Sequence, residues 1–304
     1  MLDINHLSDF VAPVNKYIIN EDQGYEKNQL GYVLNETSLD EADVVLVGCD
    51  EYRGGAQGIK PAADTIRKKL YHLYYWHKEV RIADMGNVKT GASLTDSYVA
   101  MQVVCKELTN AGKKVIIIGG SHDNTLAQYG AFSDRKKIIE ASVIDALIDL
   151  KPDSIVPNEK FLLEMLTAAP NYVKHYNHLA FQSYFVNPDL LETIDKLRFD
   201  CFRVGKVKEN IESMEPVIRN SNLLSFDINT LSNACSPANS LSPNGLNGEE
   251  ACKLMQYAGM SASIETVGIY EYDPAKDYNE LTAMQIAQMI WYIIDGVHRG
   301  KKEA

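Results

Sequence analysis

The chain alternates short apolar runs with longer segments in which apolar residues recur every three or four positions. Residues 113–120, KKVIIIGG, contain four consecutive β-branched residues without polar alternation, which is typical of a strand buried on both faces. Residues 93–112 instead begin with capping residues and stop at a glycine, which predicts a helix. By the same criteria the predicted strands are 42–51, 80–86, 113–120, 141–145, 178–185, 199–205, 223–229 and 266–273, and the predicted helices include 60–78, 93–112, 188–198 and 280–299.

Strands that alternate with helices predict an α/β fold. Such chains form a central, mostly parallel sheet with helices on both faces, joined by right-handed crossovers. No repeat, low-complexity segment or shift of composition marks a boundary along the 304 residues. We therefore expect a three-layer α/β/α sandwich formed by a single domain over residues 1–304.

The composition narrows the class of partner. A formal net charge of −11 disfavours nucleic acid, because a protein that binds phosphates needs a basic surface. Five widely spaced cysteines without a C-x-x-C pair predict reduced thiols. Residues 1–17 include acidic side chains and no apolar run behind a basic flank, which argues against a secretory signal or a membrane span. We expect a cytoplasmic protein with a small-molecule ligand and no membrane partner.

Acidic side chains collect where the predicted strands end. The polar residues at these ends are Ser121, His122 and Asp123, then Asp145 and Asp149, then Asp227 and Asn229, and finally Glu271 and Asp273. Ligands of parallel sheets bind outside the carboxyl ends of the strands. One such aspartate is usually a helix cap or a turn residue. Several carboxylates with one imidazole form a set that suits a manganese-like or magnesium-like ion.

These strand ends resemble, in order, the motifs of the ureohydrolase superfamily, which includes arginase, agmatinase and formimidoylglutamase. GGSHD (119–123) is similar to the family's G-G-x-H, and DALID (145–149) to D-A-H-x-D except at the histidine. SFDIN (225–229) is similar to S-x-D-x-D except at the last aspartate, and EYDP (271–274) to the glutamate three residues before a proline. The loop within 48–67 also resembles the family, and GGSHD lies nearest to formimidoylglutamase.

The resemblance implies an arginase-like fold and a binuclear manganese site that hydrolyses a linear guanidino or formimino C–N bond. His122, Asp145, Asp149 and Asp227 would hold the first ion. The second ion would share Asp145 and Asp227, but its two private ligand positions are Leu147 and Asn229. Leucine has no ligand atom and asparagine has no charge, so we expect at most one divalent ion, manganese or a similar cation, or none.

Glu271 matches the glutamate that holds the cationic substrate group in the family, so Asp145, Asp227 and Glu271 form the implied catalytic set. Lys151 is a candidate cation for neutralising the carboxylates without a metal. His175 and His178 are interpreted as surface or capping groups, and His72 and His77 as solvent-facing.

Residues 239–251 predict a loop over the site that ends in a helix capped near Asn247 or Gly248. Three hypotheses remain open for the function of the chain. The first is a one-ion hydrolase of an amino-acid derivative, and the second is a non-catalytic protein that binds a small cationic ligand or a protein partner. The third is a subunit that assembles with an active relative. The resemblance also implies a homo-oligomer, a trimer or a hexamer.

Overall fold

The computed structural model describes residues 7–14, 24–55 and 62–303. Within these ranges nine strands form one sheet in the order β1-β3-β2-β4-β9-β8-β5-β6-β7. Every ladder is parallel except that of β1, which pairs antiparallel with β3 at one edge. The strands are β1 Val11–Ala12, β2 Val44–Cys49, β3 Ile82–Val88, β4 Lys114–Ile118, β5 Ile139–Ile144, β6 Val173–Phe181, β7 Asp200–Arg203, β8 Leu223–Asp227 and β9 Thr266–Tyr270.

The helices cover both faces of this sheet. They are α1 Leu30–Glu36, α2 Ala63–Leu70, α3 Leu94–Asn110, α4 Thr125–Asp134, α5 Phe161–Thr167, α6 Pro188–Lys196, α7 Val204–Glu209, α8 Glu215–Arg219, α9 Gly248–Met260 and α10 Leu281–Glu303. No helix in the described ranges is both long enough and apolar enough to span a membrane.

Neighbouring residues of the central strand β4 pack into different hydrophobic clusters. Ile116 and Ile118 pack on the side of α2, α9 and α10. Val115 and Ile117 pack on the side of α3 and α4. Because side chains of a strand alternate between the two faces, an unbroken apolar run fits a strand covered on both sides. The predicted sandwich with a mostly parallel central sheet is confirmed.

The predicted boundaries differ most from the structure at α2 and β6. Helix α2 ends at Leu70 instead of continuing to residue 78, and residues 60 and 61 lie outside the described ranges. The chain beyond α2 bonds to a distant segment, since Leu30 N–H donates to Leu73 O and Tyr75 N–H donates to Asn28 O. These long-range backbone bonds replace the helical ones that the apolar spacing of residues 71–78 suggested. The strand predicted over 178–185 is β6, Val173–Phe181, which both begins and ends earlier.

The side chain of Arg67 joins α2 to β3 through a fully buried guanidinium. Arg67 Nε lies 2.8 Å from Asp84 Oδ2, and Arg67 Nη2 lies 2.9 Å from Asp84 Oδ1. Arg67 Nη1 also bonds Asp64 at 3.0 Å, and Tyr71 Oη donates to Asp84 Oδ2. Such a bidentate, desolvated pair costs most when only one partner is removed, because a charge is then left buried and unpaired.

Arg67→Met should therefore lower the free energy of unfolding by about 3–5 kcal/mol, as measured by urea titration. Arg81→Met is the matched control, because the Arg81 side chain is 57% exposed and its Nε lies 3.9 Å from Asp43. An exposed pair of this kind contributes only about 0–1 kcal/mol. Equal losses in the two variants would contradict a structural role for the buried pair.

Candidate active site at the carboxyl ends of the strands

Four neighbouring strands in the centre of the sheet end in the predicted site residues. β4, β9, β8 and β5 lie side by side, and their ladders pair Ile118 with Ile269, Ile269 with Phe226, and Phe226 with Ile144. These four residues form one row across the sheet. His122, Glu271, Asp227 and Asp145 follow this row at the same edge. The sheet order therefore brings together residues that are far apart in the sequence.

A pair of glycines turns the chain from β4 to His122. Gly119 and Gly120 have φ values of 89° and 85°, in the left-handed region that favours glycine. A Cβ on Gly119 would lie 2.5 Å from the Cys49 carbonyl oxygen, and one on Gly120 would lie 2.7 Å from Cys49 Sγ. Any larger residue at either position would thus displace β2 or the glycine turn. The glycine turn leads directly into a short 3₁₀ helix that contains His122.

His122 Nδ1 faces three of the predicted carboxylates. It lies 3.3 Å from Asp145 Oδ2, 3.5 Å from Asp149 Oδ2 and 3.8 Å from Asp227 Oδ2. The ligand atoms of His122, Asp145 and Asp227 all lie within 4.8 Å of one another. Nδ1 is buried and makes no hydrogen bond of good geometry with the described residues. A buried ring nitrogen without a partner, aimed at carboxylates, fits a cation in the space between them.

The other ring nitrogen of His122, Nε2, contacts the hydroxyl group of Ser225, which in turn contacts the hydroxyl group of Thr125. Thr125 Oγ1 donates its hydrogen to the His122 carbonyl, and Ser225 Oγ lies 2.6 Å from Thr125 Oγ1 and 2.9 Å from His122 Nε2. Since the Thr125 hydrogen is already used, Ser225 donates to Thr125 and accepts from Nε2–H. In the neutral imidazole the proton therefore sits on Nε2, and Nδ1 keeps a free lone pair for a metal ion.

In each of two aspartates, a backbone amide donates a hydrogen bond to one carboxylate oxygen. Leu147 N–H donates to Asp145 Oδ1 at 3.0 Å, and Asn229 N–H donates to Asp227 Oδ1 at 2.6 Å. In both carboxylates the other oxygen, Oδ2, is the one that faces His122. The turns that follow β5 and β8 therefore orient both carboxylates through the backbone, independently of the side chains at positions 147 and 229.

At positions 147 and 229 the side chains contact other parts of the chain. Leu147 is partly buried and lines a neighbouring cavity. Asn229 Oδ1 accepts a hydrogen bond from Ser240 N–H at 3.2 Å. The amide of Asn229 thus connects the strand end to the loop that precedes α9, so this loop contacts the site as the sequence suggested. Helix α9 is capped by Asn247, whose side chain accepts from Glu250 N–H.

Burial and mutual repulsion set the protonation of the four clustered groups. Burial and the nearby Asp145 raise the pKa of Asp149 to about 7 and raise that of Asp227. Burial also opposes ionisation of Asp145, but the neighbouring His122 outweighs it and lowers the pKa of Asp145. Burial disfavours a charged His122, yet the carboxylates raise its pKa above the usual value. The cluster therefore gains from any positive charge at its centre, either an imidazolium or a metal ion.

Glu271 follows β9 with a strained backbone and faces the same cluster. Its φ is 68°, in the left-handed region that non-glycine residues seldom adopt. Its N–H donates to Gly120 O, and its Oε1 accepts from His122 N–H at 2.8 Å. Burial raises the pKa of Glu271, although the His122 amide partly offsets this. These bonds between the ends of β4 and β9 maintain the unusual conformation.

His178 lies in the interior, although the sequence predicted a surface or capping group. It is 1% exposed, and its Nε2 lies 3.1 Å from the Asp145 carbonyl oxygen while its Nδ1 lies 2.7 Å from Tyr176 Oη. Burial lowers the pKa of His178 to about 4, so the ring is neutral. It supports the backbone that carries Asp145. Position 178 belongs to the buried half of β6, and this apolar setting was the signal in the sequence.

Other interpretations of single polar residues also need correction. Lys151 does not neutralise the carboxylates, since it is half-exposed and bonds Glu159 Oε1 at 2.9 Å. His77 was predicted to face solvent, but it is only 8% exposed and its Nε2 lies 3.1 Å from Asp295 Oδ1. His72 is exposed, as predicted.

Comparison with known proteins agrees with this fold. A sequence model of the Arginase family matches residues 41–295. A formimidoylglutamase of Klebsiella pneumoniae (strain 342) is 22% identical over 278 residues, which cover 83% of this chain and 85% of that protein. The crystal structure of Trypanosoma cruzi formiminoglutamase with Mn²⁺ superposes with a TM-score of 0.81 at 16% identity, over 90% of this chain and 99% of that one.

The agmatine ureohydrolase of Thermoplasma volcanium has a similar fold, with a TM-score of 0.74 at 19% identity over 92% of this chain and 97% of that one. The family match covers most of the chain, and the structural matches agree with the arrangement of its strands. The chain belongs to the arginase family.

Proposed function

We propose that the chain hydrolyses a linear C–N bond in a guanidino or formimino derivative of an amino acid, with one divalent ion as its cofactor. The observation that carries the proposal is the position of His122 Nδ1, which is buried without a hydrogen bond to the described residues and faces Asp145, Asp149 and Asp227. One imidazole nitrogen and carboxylate oxygens form a ligand set that suits Mn²⁺. The names of the relatives, formimidoylglutamase and agmatine ureohydrolase, support this substrate class.

When bound, such an ion supplies Lewis acidity and lowers the pKa of water, which makes a hydroxide nucleophile available near neutral pH. In the hydrolysis, water would add its hydroxyl to the amidine carbon, and its remaining hydrogen would leave on the departing nitrogen. Ser225 fixes the ring of His122, and the amides of Leu147 and Asn229 orient the two shared aspartates. Glu271 binds the cationic amidinium through the carboxylate oxygen that is not bonded to His122.

A second candidate function is the binding of a small cationic ligand without catalysis. The close approach of His122 to three carboxylates favours it, because an imidazolium there would offset their charge without a metal ion. The metal content of the protein separates the two candidates. A cytoplasmic location, a single domain over residues 1–304 and assembly into trimers or hexamers stay predictions of the sequence.

Protein produced with excess manganese should contain one ion per chain, as measured by inductively coupled plasma mass spectrometry. His122→Asn should abolish binding, whereas His72→Ala, at an exposed histidine, should leave it unchanged. Restoring both private ligands with Leu147→His and Asn229→Asp should raise the content to two ions. If the wild-type protein retains far less than one ion per chain, the metal-dependent hydrolase is excluded. The binding of a small cationic ligand is then the remaining candidate function.

Ser225→Ala should weaken Mn²⁺ binding by roughly 10–100-fold, because it removes the acceptor that fixes the ring of His122. Ser142→Ala is the matched control, since Ser142 is equally buried but bonds Ser221. Both affinities can be measured by isothermal titration calorimetry. If the two variants bind Mn²⁺ equally well, the orientation of His122 does not depend on Ser225.

Glu271→Gln should leave the ion content intact and lower turnover by about 10²-fold, because the amide keeps the bond to His122 but loses the charge that orients an amidinium. Turnover is measured as ammonia, formamide or urea released from formimidoylglutamate, agmatine, arginine and guanidinobutyrate. Asp273→Asn is the control, because that carboxylate has local contacts, a turn bond from Ala275 N–H and an ion pair with Lys276 at 3.7 Å. Equal rates in wild type and Glu271→Gln would argue against the assigned role.

A further inference from the structure

The loop before α9, residues 239–246, approaches the carboxylate cluster from the β8 side. Ser240 N–H donates to Asn229 Oδ1 at 3.2 Å, and Asn229 N–H donates to Asp227 Oδ1. Two hydrogen bonds therefore connect this loop to a carboxylate that faces His122. Parallel sheets bind their ligands outside the carboxyl ends of the strands, where this loop lies. The position of the 239–246 loop thus bears on any ligand at the cluster.

The side chain of Gln182 holds the same loop from the opposite side. Gln182 follows β6, and its Nε2 donates to Asn244 O at 3.1 Å. Because β5 lies between β8 and β6 in the sheet, this bond spans the end of β5. At that end, Gln182 N–H donates to Ala146 O at 2.9 Å, directly beside Asp145. Gln182 therefore joins the chain segments that follow three neighbouring strands.

Both ends of the Gln182 amide bond to other parts of the protein. Tyr184 Oη donates to Gln182 Oε1 at 2.6 Å, so the nitrogen is the atom that faces Asn244. The Gln182 side chain is fully buried, whereas Tyr184 is 64% exposed. A buried amide needs such partners, and one bond at each end fixes its orientation. Since the side chain is shielded, Gln182 acts on the site through the segments that it joins.

An irregularity of β6 lies directly before Gln182. The ladder between β6 and β7 shifts between Leu179 and Phe181, so Ala180 is an extra residue in β6. Ala180 has a φ of 70°, in the left-handed region that non-glycine residues seldom adopt. A bulge of this kind changes the direction of the side chains that follow it, and bulges are common next to active sites. The strand end is thus shaped to direct Gln182.

We propose that Gln182 is a positioning residue, which fixes the 239–246 loop against the turn after β5 so that the loop contacts the bound substrate. This inference rests on the proposed function, which places the reacting group of the substrate at the carboxylate cluster. Lys208 Nζ also donates to the loop, at Gly245 O, but this side chain is 38% exposed and water can replace its bond. Loss of the Gln182 amide should release the loop without displacing the residues proposed to hold the ion.

Gln182→Met keeps the size of the side chain and removes both amide bonds. KM for the substrate that the wild type turns over fastest should rise by about fivefold, because a smaller fraction of the protein has the loop in place. The kcat and the ion content should stay unchanged. Amide hydrogen exchange of residues 239–246, measured by mass spectrometry, should become faster. Because Asn244 and Tyr184 are exposed, water can bond the released groups and the fold should remain intact.

Gln128→Met is the matched control. The Gln128 amide is equally buried, accepts from Tyr270 Oη, and donates to Leu224 O and Thr266 Oγ1. Its partners on β8 and β9 lie near the amino ends of these strands, away from the cluster. This variant should unfold at a lower urea concentration but keep the KM and the loop exchange of the wild type. It therefore separates a loss of stability from a loss of position.

Tyr184→Phe provides a second variant at an exposed position. It removes only the bond to Gln182 Oε1 and leaves the donor to Asn244, so its KM should lie between those of the wild type and Gln182→Met. A KM outside that range would overturn the inference. An unchanged KM or unchanged loop exchange in Gln182→Met, or an equal rise of KM in Gln128→Met, would also overturn it. In each case an active wild type leaves the proposed function standing.

If the wild type turns over none of the four substrates, the proposed hydrolase fails. The affinity for agmatine, measured by calorimetric titration, then decides the inference about Gln182. Weaker binding by Gln182→Met than by the wild type and Gln128→Met would support the positioning role. Equal affinities of the three proteins, or no binding by the wild type, would overturn it.

Discussion

The site depends on the parallel pairing of four strands in the order β4, β9, β8 and β5. Ile118, Ile269, Phe226 and Ile144 stand in one row, so the next residues of all four strands emerge at one level. A shift of one residue in any of these ladders would turn that strand's alternating side chains to the opposite faces. The hydrophobic clusters on both faces oppose such a shift, so the packing of the core also fixes the geometry of the charges.

The same arrangement creates an electrostatic problem that the local hydrogen bonds solve only in part. Asp145, Asp149 and Asp227 are nearly fully buried beside one another, and their desolvation opposes ionisation. Backbone amides stabilise one oxygen of Asp145 and one of Asp227, but they supply no full charge. His122 supplies a positive charge only as an imidazolium, in which Nδ1 carries a proton and has no lone pair for a metal ion. A positive charge at the centre is therefore what the cluster requires, and the proposed ion satisfies this requirement while leaving Nε2–H bonded to Ser225.

The features that the sequence predicted correctly are those that local patterns determine. The run of four β-branched residues in β4, the capped start of α3 at Ser93 and the positions of the strand ends follow from neighbouring residues. Features that depend on distant partners were missed. Helix α2 stops where the chain pairs with residues 28–31, and the Lys151 side chain turns to Glu159. The motif that contains Ser225 was recognised, but its contact with His122 needs β4, β9 and β8 in register.

The substitutions at positions 147 and 229 change side chains while keeping the backbone contribution of both residues. An amide N–H donates equally well from leucine or histidine, and from asparagine or aspartate. The turns after β5 and β8 therefore still orient Asp145 and Asp227. This separation means that the side chains at positions 147 and 229 can differ from the family motif without disturbing the residues proposed to hold the ion.

It also explains why each new side chain is free to take another role. Asn229 bonds the loop before α9, and Leu147 lines a neighbouring cavity. A change that removed either backbone amide bond, in contrast, would release a carboxylate that belongs to the remaining ligand set. The conformation of these two turns is therefore a stricter requirement of the proposed one-ion site than the identity of either side chain.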